Sequence, residues 1–377
     1  MKTTIQQYWS NFPLRDRSTT ITHRAFKKAT DELKVILATP DDTWLAQLVA
    51  CTGAGKTHVI TCLHGEILDR HRAEMEADPT IMPSAYVEMD RISDNGSHSW
   101  SNDYAHILRA LKHPNPDSDS LKQARDKLRK CLTMRRTETL FLDEAAHFIY
   151  GCDLRKPAAI RRRADVIRSF TDDTRTRLVL CSTYDLLPMT RIDGQIIRRN
   201  QLVHLARYRN TDADRNTFLG ILHLLDTQYS SYLEFSLASR QEEVYQGCLG
   251  LVGALRNWLV RASCVAEDAG RLKICWEDIL KRRDGTKARL RILEEARNGE
   301  DAIEDDEDSD ERFQKLLLSD REEAAAAGSR SVSPNTDNRE NSERSEGTIP
   351  KPLLSKKNLP GRSKPSRPRC GDPDECG

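Results

Sequence analysis

The segment at residues 50–57 constrains the fold of this chain more than any other. It reads Ala-Cys-Thr-Gly-Ala-Gly-Lys-Thr, follows an apolar run at 44–49, and precedes a helical pattern. A glycine-rich turn between a strand and a helix exposes backbone N–H groups, and the positive end of the helix dipole strengthens their attraction for anions. The sequence therefore predicts an α/β unit whose first strand leads into a phosphate-binding loop.

The end of this loop carries side chains suited to a nucleotide. Lys56 can reach the β- and γ-phosphates, and Thr57 can place its hydroxyl on a magnesium ion, so we expect ATP and Mg²⁺ as cofactors. One residue departs from the usual pattern, because Ala50 stands where the first glycine is expected. Two outcomes are open: an undistorted loop, or one that binds nucleotide poorly and turns it over slowly. The predicted ATP contacts are Thr52, Gly53, Ala54, Gly55, Lys56, Thr57 and His58.

Length and composition limit the remaining possibilities. A chain of 377 residues is long enough for one large domain or two. Its ten cysteines lack paired Cys-x-x-Cys spacing and follow no signal peptide, which indicates reduced thiols in a cytoplasmic protein. Apolar runs stay shorter than the roughly 18 residues of a membrane helix, so we expect no membrane partner.

Strands alternate with helices through the first half of the chain. This order predicts parallel βαβ units with helices on both faces of one sheet. The predicted strands lie at 44–50, 85–89, 139–142 and 177–181, and the predicted helices at 20–37, 56–72, 102–112 and 119–133.

Composition divides the chain into four predicted regions. Residues 1–18 are polar and are predicted to form an arm rather than a packed element, and residues 19–209 form the nucleotide-binding α/β domain. Helical apolar stripes at 210–298 predict a small helical lid. Residues 299–377 turn acidic and then basic, and are predicted to be disordered because they offer little apolar surface to bury.

Two carboxylates follow the predicted strand at 139–142. Ligands of open α/β sheets bind at the carboxyl ends of the strands. Asp143 is therefore predicted to hold Mg²⁺ through water, and Glu144 to polarise the attacking water. The alternative is an Asp-Glu pair that complements a helix dipole.

Polar and basic residues follow the last predicted strand. Ser182 and Thr183 end that strand, and we expect Thr183 to contact the γ-phosphate or the water; the alternative is a helix or turn cap. Arg198 and Arg199 are candidates for an arginine that stabilises phosphoryl transfer in a neighbouring subunit. The alternative for this pair is a solvated basic helix end.

Two longer segments carry a family resemblance. The order of the P-loop, Leu-Asp-Glu and Ser-Thr, then Gln-Ile-Ile-Arg-Arg-Asn-Gln-Leu-Val-His-Leu-Ala-Arg-Tyr at 195–208, resembles the AAA+ transposition regulators TnsC and TniB. So does Gly-Leu-Val-Gly-Ala-Leu-Arg-Asn-Trp-Leu at 250–259, which is similar to the family's lid helix with its second sensor region. The resemblance covers roughly residues 20–265.

The resemblance implies an AAA+ P-loop NTPase that binds ATP, hydrolyses it slowly, and assembles on double-stranded DNA without sequence preference. Such a protein forms a ring or a helical filament and links a TniQ-type target-selection protein to the transposase. Hydrolysis then remodels the assembly. It also implies a bacterial, nucleoid-associated location.

Basic segments are the candidates for DNA contact. A net charge of +1 argues against a globally basic binder, so contacts would be local. For the segment after the second strand, the alternative is an ordinary surface loop. For the arginine run after the acidic pair, the alternative is a solvated charged face. The candidate residues are Arg91, Ser97, Trp100 and Ser101 after the second strand, and Arg161, Arg162 and Arg163 after the acidic pair.

Two other functions stay open at this point. A helicase loader or replication-initiator-like ATPase would share the superfamily, but an initiator usually has a DNA-reading domain after the lid. A nucleotide-gated DNA-binding scaffold with little turnover would fit Ala50, whereas Glu144 argues against it.

Overall fold

The computed structural model describes residues 2–39, 45–89, 99–118, 120–150, 152–153, 155–171, 174–190, 194–304 and 307–329. Short 3-10 helices lie at Pro13–Arg15, Ala145–Ile149, Tyr184–Leu186 and Ala238–Arg240. The α-helices are α1 (Lys2–Ser10), α2 (Arg24–Ala38), α3 (Lys56–Arg70), α4 (Arg72–Ala77), α5 (Trp100–Ala110), α6 (Leu121–Met134), α7 (Pro157–Arg168), α8 (Leu187–Thr190), α9 (Gly194–Arg199), α10 (Asp212–Tyr229), α11 (Gln241–Cys248), α12 (Val252–Asp268), α13 (Trp276–Lys281), α14 (Thr286–Ile303) and α15 (Glu307–Ser329).

A parallel sheet forms the centre of the chain. Its strands are β1 (Leu45–Val49), β2 (Ser84–Glu88), β3 (Thr139–Asp143), β4 (Arg177–Ser182) and β5 (Asn200–His204). They lie in the order β2-β3-β4-β1-β5, and every neighbouring pair is parallel. This confirms the predicted α/β fold with a parallel sheet flanked by helices.

The register brings the strand ends to one edge of the sheet. Val49 lies opposite Ser182 on one side and His204 on the other. Glu88 lies opposite Asp143. All the segments that follow these strands therefore start from the same edge, where ligands of open α/β sheets bind.

The edge strand β5 was not predicted. Its sequence Asn-Gln-Leu-Val-His has two apolar residues, and only Asn200 and Val203 are buried. An edge strand buries less of its surface than a central one, so its apolar signal is weak. The four predicted strands, in contrast, are central or largely buried.

Two apolar cores cover the two faces of the sheet. On one face, α5, α6 and α7 contribute Leu108, Leu128 and Ile167, each fully buried. On the other face, α2 and α3 contribute Leu33 and Ile60, also fully buried. Burial of this kind stabilises by about 1.5–3 kcal/mol for each large aliphatic side chain.

A third core joins α10, α11, α12 and α13. Most residues of the stripes predicted from helical periodicity are inside it, with Phe218, Leu222, Leu255 and Leu259 buried, whereas Leu219 and Leu249 are only half-buried and lie outside this core. The division between the α/β domain and this helical region at 209/210 stays a prediction, since residues 1–305 form one compact unit.

The N-terminal segment packs into this third core. Trp9, Phe12 and Leu14 are at most 1% exposed, and the Trp9 indole N–H donates to the Arg271 carbonyl over 2.9 Å. The Phe12 ring lies 4.8 Å from that of Tyr232. The prediction of an unpacked arm at 1–18 is therefore wrong, because these few apolar side chains are too irregularly spaced to show a helical period.

The predicted start of the tail at 299 is also too early. Helix α14 continues to Ile303, and Glu300 within it is 3% exposed. Helix α15 occupies 307–329, within residues predicted to be disordered, and belongs to the second unit at 306–377. The rest of the predicted tail, from 330 onward, lies outside the described residues. None of the helices in the described ranges is long and apolar enough to cross a bilayer.

The close packing of α14 predicts a stability effect. A Cβ on Gly299 would lie 2.1 Å from two ring atoms of Tyr184, so Gly299→Ala must displace that ring or the helix. We expect a loss of about 1–3 kcal/mol in the free energy of unfolding, measured by urea denaturation. Gly65→Ala in α3 is the matched control, because a Cβ there meets nothing within 4 Å. An equal response of the two variants would contradict this account of α14.

Candidate functional site

The glycine-rich loop lies between β1 and α3, as expected for a P-loop. Gly53 and Gly55 have φ values of 81° and 106°, in the region that side chains disfavour. Gly55 is the N-cap of α3, so the backbone turns into the helix at this glycine. The free N–H groups of the first helical turn and the loop can therefore face an anion.

Ala50 is compatible with this loop geometry. It is fully buried, and its N–H donates to the Ser182 carbonyl over 3.3 Å in continuation of the sheet. Positive φ among described non-glycine residues occurs only at Lys112, Arg136, Glu144 and Leu249. Ala50 therefore adopts an ordinary backbone conformation, and the first position of this loop does not need glycine.

The two residues at the start of α3 point to different partners. The Lys56 ammonium donates to the Ala50 and Cys51 carbonyls, both over 3.2 Å. The Thr57 hydroxyl donates to Asp143 Oδ2 over 2.7 Å. The loop and the acidic strand end are thus joined by a direct side-chain contact, although 86 residues separate them.

The acidic pair lies where β3 leaves the sheet. Asp143 is 3% exposed, and its Oδ2 also accepts a hydrogen bond from the Tyr86 hydroxyl at 3.2 Å. Glu144 is half-buried and lies in the left-handed region at φ 54°, ψ 33°. Its N–H donates to Asp143 Oδ1 over 2.9 Å. This sharp turn separates the directions of the two carboxylates, and left-handed backbone at a non-glycine residue often marks a functional site.

The strand between the loop and the acidic pair ends in Ser182 and Thr183. Ser182 is buried and donates to the Thr183 carbonyl over 2.8 Å. Thr183 lines the cleft and donates to Asp185 Oδ2 over 3.0 Å. Of the two hydroxyls, the geometry therefore exposes that of Thr183 to a ligand.

A cleft of about 1040 Å³ lies over this sheet edge. All the residues predicted to contact ATP line it, together with Glu144 and Thr183. The further lining residues are Arg17, Thr19, Ile21, His23, Phe26, Thr61, Tyr86, Glu88, His147, Tyr150, Asp185, Val252, Gly253, Arg256, Asn257 and Glu295.

The lid helix α12 touches the P-loop backbone. A Cβ on Gly253 would lie 2.6 Å from the Gly53 carbonyl oxygen and 3.0 Å from the Gly55 nitrogen. Three residues further on, Arg256 lines the cleft and donates to the Asp16 carbonyl over 2.8 Å. Both residues lie in the segment that resembles the family's second sensor, but the sequence did not single them out as site residues.

Helix α14 also reaches the site, which the sequence did not predict. The Thr52 hydroxyl donates to Glu295 Oε1 over 3.5 Å. Further along the helix, Glu300 forms ion pairs with two arginines. Its Oε1 lies 2.9 Å from Arg207 Nε, and its Oε2 lies 3.2 Å from Arg209 Nε. Burial raises the pKa of Glu300, and both guanidinium groups oppose that rise. Residues from 299 onward were predicted to be disordered because of their acidic composition, but α14 extends to Ile303 and packs against these arginines.

Two histidines of the cleft are kept neutral by burial. Burial lowers the pKa of His23 to about 4, and its Nδ1 lies 3.0 Å from the Tyr208 hydroxyl. Burial also lowers the pKa of His58, with a smaller effect from Arg256. The His58 ring lies 5.6 Å from that of Phe26. This side of the cleft is therefore a mixed apolar and neutral polar surface.

The two candidate arginines of α9 lie outside this cleft. Arg198 is exposed and Arg199 half-buried, and neither lines the cleft that holds Lys56 and Glu144. They directly precede the edge strand β5. Their position leaves them available to another molecule.

The structure describes only some of the residues predicted to contact DNA. Arg91 and Ser97 lie outside the described residues. Trp100 begins α5 and stacks on Phe148 at 5.7 Å, so it is a packing residue at least in part.

The structure brings the two DNA candidate segments together. The Arg163 guanidinium lies 5.8 Å from the centre of the Trp100 ring. Ser101, Arg161 and Arg162 are exposed. Residues about 60 positions apart therefore form one surface beside the acidic strand end.

Comparison with known proteins identifies the family. Residues 14–210 match the family model described as Bacterial TniB protein. No curated protein matches the chain significantly in sequence.

Several solved structures resemble part of this chain. The Aeropyrum pernix ORC2 protein, solved in ADPNP–ADP complexes, has 15% identity and a TM-score of 0.46 over 68% of this chain and 66% of that chain. This chain thus spans just under two thirds of the ORC2 chain. Domain III of the Thermotoga maritima replication initiation protein DnaA has 14% identity and a TM-score of 0.40 over 74% and 94%. A Walker-type ATPase of Pyrococcus abyssi has 13% identity and a TM-score of 0.43 over 81% and 76%.

The family match covers more than half of the chain, from the segment before α2 to the segment after β5. It includes the P-loop, the acidic pair, Thr183 and both arginines of α9. The chain has a parallel sheet flanked by helices with a P-loop between β1 and α3, and it belongs to the bacterial TniB family.

Proposed function

We propose that this chain is an ATP-dependent regulator of DNA transposition that assembles on double-stranded DNA and is remodelled by ATP hydrolysis. The observation that carries the proposal is the cleft in which the P-loop, the acidic pair and Thr183 meet beneath α12. Membership in the TniB family supports the biological context.

The cleft fits ATP by shape and by chemistry. The positive φ values of Gly53 and Gly55 open the loop backbone toward an anion, and Lys56 lies beside it. At the other end, Ile21, His23, Phe26 and Val252 line the cleft and offer an apolar surface with a neutral ring nitrogen, which suits a purine. We assign the triphosphate to the first region and the base to the second.

The same cleft offers oxygen ligands for Mg²⁺. The Thr57 hydroxyl and the Asp143 carboxylate are 2.7 Å apart, so one ion with its waters and phosphate oxygens can be shared by both. Bound there, Mg²⁺ would neutralise negative charge on the phosphate oxygens. In the described residues, no group of three or more His, Cys, Asp or Glu side chains is arranged as a metal site, which suits an ion that relies on phosphates.

We assign hydrolysis to Glu144 and Thr183. Glu144 lies beyond Asp143 on the exposed side of the turn, where its carboxylate can accept a proton from a water molecule. Thr183, on the neighbouring strand, can hold the γ-phosphate or the water with its hydroxyl. A base and a hydroxyl from adjacent strands orient the attacking water against the phosphate.

Among the described residues, the cations that line the cleft are Lys56, Arg17 and Arg256, and an arginine from another molecule can further stabilise the charge that develops in phosphoryl transfer. Arg198 and Arg199 lie outside the cleft of their own chain, so we propose that they complete the site of a neighbouring copy. Such a head-to-tail contact closes into a ring or continues as a helical filament. ATP would then control assembly as well as hydrolysis.

We propose that DNA contacts come from the surface around Trp100 and α7. The exposed Arg161 and Arg162 can neutralise phosphates without reading sequence, so this binding should weaken as salt rises. Arg91 and Ser97 remain candidates from outside the described residues. By family membership, we further propose that the partners are the transposase and a TniQ-type target-selection protein.

Imaging tests the assembly directly. With DNA and a slowly hydrolysed ATP analogue, we expect regular rings or filaments around the DNA by electron microscopy, and Lys56→Ala should abolish them. Persistent monomers of the wild-type protein under these conditions would contradict the proposal.

A mixing experiment tests the shared site. Arg198→Ala/Arg199→Ala should bind ATP but hydrolyse it poorly, because each site then lacks its neighbour's cation. Mixed with an equal amount of Glu144→Gln, it should recover up to about a quarter of wild-type turnover, since a quarter of random head-to-tail contacts pair an intact Glu144 with intact arginines. Lys281→Ala/Arg282→Ala is the matched control, a basic pair at the end of another six-residue helix. Absence of any recovery would argue against arginines acting between subunits.

A further inference from the structure

A buried histidine–aspartate pair lies directly behind the acidic turn. His147 is 3% exposed and Asp103 is 7% exposed, and His147 Nε2 lies 3.4 Å from Asp103 Oδ1. His147 belongs to the 3-10 helix after β3, whereas Asp103 is in the first turn of α5. Burial of two ionisable groups costs free energy of folding unless they are paired, and the contact between His147 and Asp103 provides this pairing.

The two ring nitrogens of His147 both face acceptors. Nδ1 lies 3.1 Å from the Glu144 carbonyl oxygen, and Nε2 faces the Asp103 carboxyl group. Each ring nitrogen thus has an oxygen atom within reach, and the two contacts fix the plane of the His147 ring between Glu144 and Asp103.

The Glu144 backbone is held at both ends by this arrangement. Its N–H donates to Asp143 Oδ1 over 2.9 Å. Its carbonyl faces the His147 ring and also accepts the His147 backbone N–H at 3.3 Å. These contacts stabilise Glu144 in the left-handed conformation, which a glutamate otherwise disfavours.

The geometry points to His147 and Asp103 as positioning residues for Glu144. Asp103 contacts Nε2 of His147 and thereby orients the ring. His147 in turn fixes the Glu144 carbonyl, and with it the direction of the Glu144 carboxylate. This inference rests on the proposed role of Glu144 in ATP hydrolysis.

The pair also connects the acidic turn to another part of the fold. Asp103 lies one turn after Trp100 on α5, and Trp100 contacts Arg163 of α7. Displacement of α5 would therefore move Asp103 and change the support of Glu144. A misplacement of about 1 Å in a catalytic group can cost roughly 100-fold in rate.

The experiment compares steady-state ATP hydrolysis by the full-length wild-type protein and its variants in the presence of duplex DNA. His147→Ala should lower kcat by about 10- to 100-fold and change KM less than about twofold, because the residues assigned to the triphosphate and the base stay in place. His147→Asn keeps a donor near the Nδ1 position and should recover much of the loss. Asp103→Ala should be less severe than His147→Ala, and the double variant should be no worse than His147→Ala, because Asp103 acts through His147.

Two controls separate positioning from general damage. His71→Ala removes a half-buried histidine that lies between two carboxylates, Glu74 at 3.4 Å and Glu138 at 3.2 Å, at the opposite edge of the sheet. It should leave kcat unchanged. If His147→Ala does not fold, Asp103→Asn provides the test, because it removes the negative charge beside His147 with almost no change in side-chain volume and should lower kcat.

The outcomes distinguish this inference from the proposed function. Loss of turnover in Glu144→Gln together with normal kcat in folded His147 and Asp103 variants would overturn the positioning role alone. Unchanged turnover in Glu144→Gln would overturn the assignment of Glu144 itself. Loss of turnover in Glu144→Gln and in His147→Ala, with activity restored in His147→Asn, supports both the role of Glu144 and the positioning role of His147.

Discussion

Glu144→Gln is expected to reduce ATP turnover by about 100- to 10,000-fold, the range typical for loss of a general base. The amide has nearly the same size and cannot accept the proton of the attacking water. Because Lys56, Thr57 and the loop backbone stay in place, ATP affinity should change little. Steady-state phosphate release and titration with a fluorescent ATP analogue measure the two quantities separately.

The control for this substitution lies at the other end of the same strand. Glu138 directly precedes β3, and its side chain is 52% exposed. Glu138→Gln should leave turnover at the wild-type level. Unchanged turnover in Glu144→Gln would contradict the catalytic assignment of Glu144. Very low turnover in the wild-type protein itself would favour the nucleotide-gated scaffold, in which ATP controls DNA binding with little hydrolysis.

Gly253→Ala is expected to weaken ATP binding by roughly 5- to 150-fold, from an overpacking cost of about 1–3 kcal/mol. Its methyl group would lie 2.6 Å from the Gly53 carbonyl oxygen and 3.2 Å from the Ala54 carbonyl carbon. These are backbone atoms that cannot rotate away. Either α12 moves off the loop, or the loop loses the shape that suits the phosphates.

Gly220→Ala in α10 is the matched control for this prediction. Gly220 is also a helical glycine of the lid, and a Cβ there meets nothing within 4 Å. Its substitution should be neutral or slightly stabilising, since alanine favours helix by about 1 kcal/mol over glycine. ATP titrations in which both variants bind like the wild type would contradict a tight contact between α12 and the loop.

The central part of the candidate site follows from local sequence. The P-loop and the acidic pair each combine an apolar strand with the polar residues directly after it. Parallel strands place such residues at one edge, so Thr57 and Asp143 could be expected to meet. Thr183 was predicted by the same reasoning.

The residues that surround this centre could not be predicted in this way. Gly253 and Glu295 reach the P-loop from roughly 200 and 240 positions further along the chain. Helical periodicity indicates which face of α12 or α14 is buried but does not say which surface it packs against. The same limit applies to Asp103 and His147, whose contact joins two different elements.

At both ends of the unit formed by residues 1–305, composition predicted solvated segments where the structure has buried side chains. Trp9 and Phe12 lie in a polar segment, yet both are buried in the helical core. Glu300 begins an acidic run, yet it is buried against Arg207. Average polarity predicts solvation, but a few large apolar side chains or one ion pair are enough to fix a short segment against a preformed surface.

The phosphate-binding loop, the acidic pair and the parallel sheet could be predicted from local sequence, because each depends on residues within one strand and its following turn. The contact of α12 with the loop, the contact of His147 with Glu144, and the position of Arg198 and Arg199 outside their own cleft became known only from the folded chain. Those features depend on contacts between distant segments, whose partners are selected by the packing of the whole domain. Local patterns cannot encode that choice, since many apolar faces are compatible with the same spacing of residues.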